Sequence, residues 1–251
     1  MEREIIFVEK IEEINELRRK AEEGDCVSMN ILSFRLYYSV GIKPDIEEAR
    51  KWCLESAKRG NLLGEGMSQF LSFKENSRIR DAYSKIKEYH ERYLQEGSRE
   101  DDSYALCIMG SSLIYSSGVE KDYARGVEYT KRACKLDNAV AYADLGIYYE
   151  NGYGVSKDLK MAEECFWKSF ELGFFRGPVF VACMMLQGDL EDNRRALGVE
   201  ILEKASEYGL YLAKYFLANV YFKGEVVQKD EDKAVRLYEE AGTLGDSSSW
   251  T

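Results

Sequence analysis

The stretch AYADLGIYYENGYGVSKDLKMA, residues 141–162, decides the fold of this chain of 251 residues. From Ala141 to Tyr149 its apolar residues recur every three or four positions, which is the spacing of one face of an α-helix. Two glycines follow, and glycine readily adopts the left-handed conformation that ends a helix. Asp158 then stands where a second helix can be capped, and the small Ala162 lies four residues further on. The stretch therefore predicts two helices joined by a tight turn.

Glycines that close an apolar helical run recur along the whole chain. Their spacings are 36, 37, 76, 36 and 36 residues, and the spacing of 76 covers two periods with a small insertion. The glycine that is missing between these two periods is replaced near Leu136–Asp137. A period held over the full length predicts a chain built from repeated units. The closing glycines are Gly24, Gly60, Gly97, Gly173, Gly209 and Gly245.

A second pattern in the middle of most periods indicates a helical hairpin. A glycine ends the first helix, an aspartate a few residues later begins the second, and a small residue after that lets the two helices approach closely. The glycines are Gly41, Gly118, Gly154, Gly188 and Gly224. The aspartates are Asp45, Asp122, Asp158, Asp192 and Asp230, and the small residues are Ala49, Gly126, Ala162, Ala196 and Ala234.

No long alternation of apolar and polar residues suggests a strand. One hairpin cannot bury its apolar face alone, so its neighbours must cover it. The sequence therefore predicts an all-α fold, an α/α superhelical solenoid of about six helix-turn-helix units. The second unit is degenerate, with Gly64 and Gly66 where its first helix should start. We place the units at about 25–60, 61–97, 98–137, 138–173, 174–209 and 210–245, after a capping helix in residues 1–24 and before an unfinished repeat or frayed tail in residues 246–251.

The order of residues in 141–162 resembles the signature of Sel1-like repeats, which are related to tetratricopeptide repeats. The matching features are an alanine, leucine-glycine, a tyrosine, a glycine-rich turn ending in valine, and then aspartate and alanine. The unit from Ala213 through Gly224 and Asp230 to Ala241 resembles it nearly as well, and the resemblance covers most of the chain. It implies a non-catalytic scaffold or adaptor that organises protein complexes.

A right-handed stack of hairpins has one long concave face, lined by the first helix of each unit, and such a face suits an extended peptide or a partner's helix. By analogy with tetratricopeptide repeats, we expect a set of first-helix residues to contact a protein or peptide partner. Packing between units is the alternative interpretation at each of them. Changes at Tyr37, Glu150 and Phe222 are expected to weaken binding without unfolding the chain. The predicted partner-binding residues are Asn30, Phe34, Tyr37, Ser111, Ile114, Ala143, Ile147, Glu150, Val179, Cys183, Leu186, Tyr215, Asn219 and Phe222.

The charge of the chain bears on its partners. Asp and Glu number 45 against 35 Lys and Arg, which gives a formal net charge of −10 and a pI of about 4.9. Such a surface repels phosphate backbones, which argues against nucleic acid, and it attracts a basic peptide or protein. The other interpretation is that the acids only keep a long surface soluble. The oligomeric state stays open, because an unfinished unit after Gly245 would expose an apolar face that a second copy could cover in a self-assembling structural protein.

Catalytic motifs are few. Ser84-Lys-Ile-Lys87 matches the S-x-x-K pattern of β-lactamases and penicillin-binding proteins, but the companion S-D-N and K-T-G motifs are absent. Because some Sel1-like proteins resemble enzymes of this type, a secreted hydrolase is the alternative to a scaffold. No glycine-rich phosphate loop is present. The single histidine, His90, lies on a charged helical stretch and is expected to face solvent.

Six cysteines are scattered without a CxxC pair, and with one histidine they form no usual zinc site. We therefore expect no metal and no cofactor, and cysteines that are small buried residues in a reducing compartment. Cys107 and Cys134 could touch within one hairpin. The apolar run Ile5–Val8 is too short for a signal peptide, and no run approaches the ~20 residues of a membrane span. The sequence thus predicts a cytoplasmic protein without a membrane partner. The cysteines are Cys26, Cys53, Cys107, Cys134, Cys165 and Cys183.

Overall fold

The computed structural model describes residues 5–71, 76–96, 102–115, 119–188 and 194–245. Within these ranges the chain forms thirteen α-helices and no named strand, which confirms the predicted all-α fold. The helices are α1 (Ile11–Glu22), α2 (Cys26–Tyr38), α3 (Ile46–Lys58), α4 (Leu62–Phe70), α5 (Asn76–Glu96), α6 (Asp102–Tyr115), α7 (Tyr123–Lys135), α8 (Ala139–Asn151), α9 (Leu159–Glu171), α10 (Gly177–Gln187), α11 (Arg195–Tyr208), α12 (Tyr211–Lys223) and α13 (Glu231–Gly245).

After α1, the helices pack in consecutive pairs. The pairs are α2 with α3, α4 with α5, α6 with α7, α8 with α9, α10 with α11 and α12 with α13, and each pair also contacts the next pair along the chain. These pairs lie in the residue ranges assigned above to the six units. Helix α1 packs on α2 ahead of the first pair. The contacts therefore form a stack of hairpins.

The two helices of a hairpin differ in how much of their surface is covered. Nine of the 13 residues of α2 and eleven of the 14 residues of α6 are buried. Only five of the 13 residues are buried in each of the second helices α3 and α7, which place their charged residues on the outer side. A helix that is apolar on all sides is covered on all sides. Helices α2 and α6 therefore lie in the interior of the stack.

Aspartate side chains begin four of the second helices, as predicted. Asp45, Asp122, Asp158 and Asp230 each accept a hydrogen bond from a backbone N–H in the first turn, at 2.8 to 3.1 Å. Such a cap satisfies amides that have no partner within the helix. The predicted Asp192 lies outside the described residues. Asp137, which was predicted to replace the missing closing glycine, has a left-handed φ of 53°.

The fifth unit corrects one detail of the predicted pattern. Ala196 was expected to be the small residue at the helix contact, but it is exposed. Arg194 precedes α11, and Gly198, four residues later, lies against α10 instead. A Cβ atom on Gly198 would come within 3.1 Å of the Ala182 carbonyl oxygen. The contact is therefore displaced by two residues along the chain.

The degenerate second unit is held by close helix contacts. Gly64 and Gly66 lie inside α4, which has only nine residues. A Cβ atom on Gly64 would come 2.6 Å from the Cβ of Ser56 in α3, and one on Gly66 would come 2.3 Å from Cγ1 of Ile86 in α5. The two glycines therefore allow α4 to pack against both neighbours. In the fifth unit, Pro178 lies in the first turn of α10, where proline is tolerated.

The first unit also contacts the loop that joins the fourth unit to the fifth. The Gly41 N–H donates to the Gly173 carbonyl at 2.8 Å, and the Phe175 N–H donates to the Ser39 carbonyl at 3.3 Å. Between these bonds, Val40 and Phe174 form an isolated antiparallel bridge. The stack therefore curves until two units that are far apart in sequence meet. This contact interrupts the long open concave face that we expected.

Candidate protein-binding groove

The fourteen predicted partner-binding residues fall into three environments. The buried ones are Asn30, Phe34, Tyr37, Ile114, Ala143 and Val179. The partly buried ones are Ser111, Ile147, Glu150, Cys183, Leu186 and Asn219. Two are exposed, Tyr215 at 48% and Phe222 at 52%. At the six buried positions the side chains pack between helices, so they are not accessible to a partner.

Aromatic packing explains why the N-terminal part of the concave side is covered. The centroid of the Phe34 ring lies 4.5 Å from the ring centroids of both Tyr38 and Tyr104. Since Tyr104 belongs to α6, α2 and α6 are in contact beside the short α4. Tyr37 packs edge-on against Tyr38 at 4.8 Å, and burial raises the pKa of Tyr37 to about 12. Tyr37 is therefore a packing residue. The expectation that it can be changed without loss of stability is corrected accordingly.

Four of the predicted residues line one groove between α10 and α12. Cys183 and Leu186 face it from α10, and Tyr215 and Asn219 face it from α12. The groove has a volume of about 530 Å³. Its lining also includes Gln187, Arg195, Phe216, Val220, Lys223 and Glu225. The structure thus brings together predicted residues of the fifth and sixth units.

Hydrogen bonds and ring contacts hold the α12 side of the groove in place. The Asn219 side-chain amide donates to the Tyr215 carbonyl at 2.9 Å and accepts from the Tyr238 hydroxyl of α13 at 3.0 Å. The Tyr215 ring lies 5.8 Å from the ring of Tyr238 and 5.5 Å from that of Phe216. An exposed aromatic side chain that is already fixed loses little conformational freedom when it binds. Tyr215 is therefore suited to be a contact residue.

Phe222 extends the same aromatic surface along α12. The Lys229 ammonium lies 5.6 Å from the centroid of its ring, within the range of a cation–π contact. Half of the side chain remains exposed. Aromatic residues that are exposed beside a groove are common anchors for partner proteins.

The lining of the groove is better suited to binding than to catalysis. Burial raises the pKa of the Cys183 thiol to about 12, and the nearby charge of Glu150 acts in the same direction. A thiol that stays protonated is a poor nucleophile. Arg195 and Lys223 place positive charge in the lining, and Glu225 places negative charge there. The lining can therefore bind apolar and aromatic side chains and pair with charges of either sign.

Several lining residues were not found from the sequence. Arg195 comes from α11, and Glu225 comes from the turn after α12. The predicted residues belong only to first helices, whereas three helices and the turn after α12 form the groove. The repeat pattern gave no signal for Arg195 or Glu225, and of the exposed aromatic pair on α12 only Tyr215 lines the groove.

His90 was expected to face solvent, and this prediction is wrong. Its exposure is 2%. Nδ1 lies 2.6 Å from Oδ1 of Asp102, and Nε2 lies 3.1 Å from the Arg132 guanidinium. A guanidinium can only donate, so Nε2 accepts and Nδ1 carries the proton donated to Asp102. Both ring nitrogens are occupied, and His90 joins α5, α6 and α7 as a structural group.

The other candidate catalytic groups lie apart from the groove. Ser84 is exposed on α5, and Lys87 forms an ion pair with Glu91.

Four cysteines are buried, as predicted, and Cys26 and Cys183 are partly buried. The Cys107 thiol donates to Oδ2 of Asp144 at 3.7 Å, and burial raises its pKa. In the described part of the chain no three His, Cys, Asp or Glu side chains are placed to hold a metal ion. None of the helices described is both long enough and apolar enough to cross a bilayer.

The fold is similar to solved structures of Sel1 repeat proteins. A Sel1 repeat protein from Oxalobacter formigenes matches with a TM-score of 0.57 and 22% identity, over 86% of this chain and 85% of that chain. A protective antigen of uropathogenic Escherichia coli matches with a TM-score of 0.51 and 22% identity, over 92% of this chain and 49% of that chain. At this level of identity the likeness establishes the fold, and the predicted helical solenoid is confirmed.

Two curated relatives from Arabidopsis thaliana are similar in sequence to about a third of the chain. The ERAD-associated E3 ubiquitin-protein ligase component HRD3A is 31% identical over 88 residues, which are 34% of this chain and 13% of that protein. The component HRD3B is 31% identical over 80 residues, 31% of this chain and 13% of that protein. The match therefore spans only a small part of each relative.

The Sel1 repeat family matches four segments of the chain, residues 27–61, 103–138, 139–174 and 212–246. Together they make up more than half of the sequence. They coincide with the first, third, fourth and sixth units, while the second and fifth units depart from the repeat pattern in the ways described above. The chain belongs to the Sel1 repeat family.

Proposed function

We propose that this chain is a non-catalytic scaffold that holds a segment of a partner protein in the groove between α10 and α12. The observation that carries the proposal is the exposed Tyr215 in the lining of a groove of about 530 Å³, with a second exposed aromatic residue, Phe222, two turns further along α12. Apolar surface of this kind, with polar groups around it, is typical of a protein-binding site. The relatives HRD3A and HRD3B are components of a larger assembly by their names, which agrees with a scaffold role.

The partner is proposed to be basic overall, with an aromatic or aliphatic anchor. The net charge of −10 attracts a basic partner over a distance set by ionic strength. At short range the lining has charges of both signs, so the anchor side chain in the groove contributes more to affinity than charge does. Salt is therefore expected to slow association more than it speeds dissociation.

An array of synthetic peptides of about 12 residues, varied in net charge and aromatic content, tests this proposal on the intact chain. Peptides on the array that retain the chain are then labelled in solution, and their affinity for the chain is measured by fluorescence anisotropy. Replacing Tyr215 or Phe222 by alanine is expected to weaken binding about tenfold or more, as expected for a buried aromatic anchor. Circular dichroism should show an unchanged fold, because both side chains are about half exposed.

Tyr123→Ala is the matched control, since Tyr123 is an aromatic residue that is 42% exposed on α7, outside the groove. It should leave peptide affinity unchanged. If retained peptides bind equally well to the Tyr215→Ala, Phe222→Ala and Tyr123→Ala chains, the groove is not the binding site.

A further inference from the structure

The segment before α1 lies on the molecule as an extended peptide. Ile5 is buried and Phe7 is partly buried, while Ile6 and Val8 between and after them are 57% and 66% exposed. Side chains that alternate between inside and outside are typical of an extended backbone. The segment therefore contacts the protein in the way that a bound peptide would.

Three aromatic residues receive the Phe7 side chain. They are Phe170 of α9, Phe175 of the loop before α10 and Tyr208 at the end of α11, and we call them the aromatic box. Phe7 stacks on Tyr208 with a centroid distance of 4.8 Å and meets Phe170 and Phe175 edge-on at 5.6 Å each. Phe175 and Tyr208 also contact each other at 5.1 Å. Two walls of the box therefore support one another independently of Phe7.

Polar contacts fix the direction and register of the segment. The Tyr208 hydroxyl donates to the Glu9 carboxylate at 2.8 Å, two residues after Phe7. The Lys10 N–H donates to the Gly41 carbonyl at 2.7 Å. The Lys43 ammonium lies 5.2 Å from the Tyr208 ring centroid, within the range of a cation–π contact. The site thus distinguishes an aromatic side chain, a carboxylate and a backbone N–H.

The segment does not fill the site. A cavity of about 580 Å³ remains, lined by Ile6 and Val8 on one side and by Trp167, Phe170 and Phe175 on the other. A peptide with larger side chains at the outward positions could cover this surface more completely. Because apolar burial contributes to affinity, such a peptide can compete with a segment that leaves it open.

We propose that the aromatic box is a second docking site, separate from the groove between α10 and α12. It takes an extended peptide that carries an aromatic residue followed two positions later by a carboxylate. Residues 5–10 of this chain occupy the box in cis, and a partner protein's segment of the same pattern displaces them.

The test uses a synthetic peptide with the sequence of residues 1–10, labelled with fluorescein, and the full chain carrying Phe7→Ala. In the unmodified chain the cis segment competes with an effective concentration of about millimolar. The Phe7→Ala chain should therefore bind the peptide at least about tenfold more tightly than the unmodified chain does. The same peptide with Phe7→Ala should lose about tenfold in affinity for the variant.

A milder variant keeps the test decisive if Phe7→Ala unfolds the chain. Glu9→Ala removes only the Tyr208 hydrogen bond and leaves the ring in place, so it should raise peptide affinity by a few-fold over the unmodified chain. Tyr208→Phe should weaken binding of the natural peptide to either variant, and should not affect a peptide carrying Glu9→Ala.

Three outcomes would overturn the proposal. One is equal peptide affinity for the unmodified and variant chains. Another is a fall in the melting temperature of Phe7→Ala that saturating peptide does not reverse, because the segment would then be a structural element alone. The third is concentration-dependent dimerisation of the unmodified chain that the peptide abolishes, since the occupant in trans would then be a second copy and not a separate partner.

Discussion

At the scale of single residues, Asp144 of α8 is a carboxyl group whose charge the fold disfavours. The Cys107 thiol is its hydrogen-bond donor at 3.7 Å. Burial raises the pKa of Asp144 to about 7. The titratable groups around it, whose pKa values its charge raises, are Tyr38, Cys107, Tyr115, Cys134 and Tyr148.

This raised pKa predicts a pH-dependent stability. An aspartate in an unfolded chain has a pKa of about 3.9, so between about pH 4 and pH 7 the folded state holds the proton more strongly than the unfolded state does. The contribution of Asp144 to stability is therefore complete below about pH 4 and is lost as the pH rises to about 7. Asp144→Asn keeps a neutral side chain and should gain on the order of 4 kcal/mol relative to the natural chain over this interval.

Urea unfolding at several pH values measures this difference. Asp232→Asn, at an exposed aspartate in the first turn of α13, is the control and should show a much smaller dependence on pH. A difference between the Asp144→Asn chain and the natural chain that stays constant from pH 4 to pH 8 would show that the carboxyl titrates normally.

At the scale of helices, the contact between α6 and α7 depends on two glycines that face each other. A Cβ atom on Gly110 would come 2.3 Å from Oγ1 of Thr130 and 3.0 Å from the Gly126 carbonyl oxygen. One on Gly126 would come 3.1 Å from the Gly110 carbonyl oxygen. Since backbone atoms close the contact, the helices must separate to admit a side chain.

Gly110→Ala is therefore expected to destabilise the chain by about 1–3 kcal/mol, the usual cost of overpacking, even though alanine favours helix. Gly242→Ala in α13 is the matched control, because nothing lies within 4 Å of the position of its Cβ atom. It should be neutral or stabilise the chain by up to about 1 kcal/mol. Equal midpoints of urea unfolding for the two variants would contradict the close contact.

At the scale of the whole molecule, the first unit is joined to the fourth and fifth units by backbone hydrogen bonds and by the segment before α1. In an open solenoid each unit contacts only its neighbours, and the ends can unfold separately. Contacts between distant units couple them. We therefore expect one cooperative unfolding transition for the chain.

Two tryptophans report on this coupling, Trp52 in the first unit and Trp167 in the fourth. One double variant, Trp167→Phe with Trp250→Phe, leaves Trp52 as the reporter, and the other, Trp52→Phe with Trp250→Phe, leaves Trp167. Within each variant, the urea midpoint from fluorescence should agree with that from far-UV circular dichroism within about 0.2 M. Earlier loss of the Trp52 signal would instead show that the first unit unfolds alone.

The sequence by itself determined the repeat period, the helical hairpin and the starts of four second helices. These features are local. A capping aspartate such as Asp45 bonds to a backbone N–H three residues later, and Asp137 ends its unit by adopting a left-handed φ angle itself. The aromatic residues of α12 were predicted for the same reason, since their register follows from the helix that carries them.

Only the tertiary structure decided which parts of the concave side are open. Asn30 and Tyr37 of α2 occupy the repeat positions of Tyr215 and Phe222 in α12, yet the first two are buried and the last two are exposed. The difference arises from the curvature of the stack, which brings Gly41 to Gly173 and the rings of α2 to those of α6. His90 is buried through contacts with two later helices in the same way. Curvature sums small rotations between many units, and no single repeat contains that information.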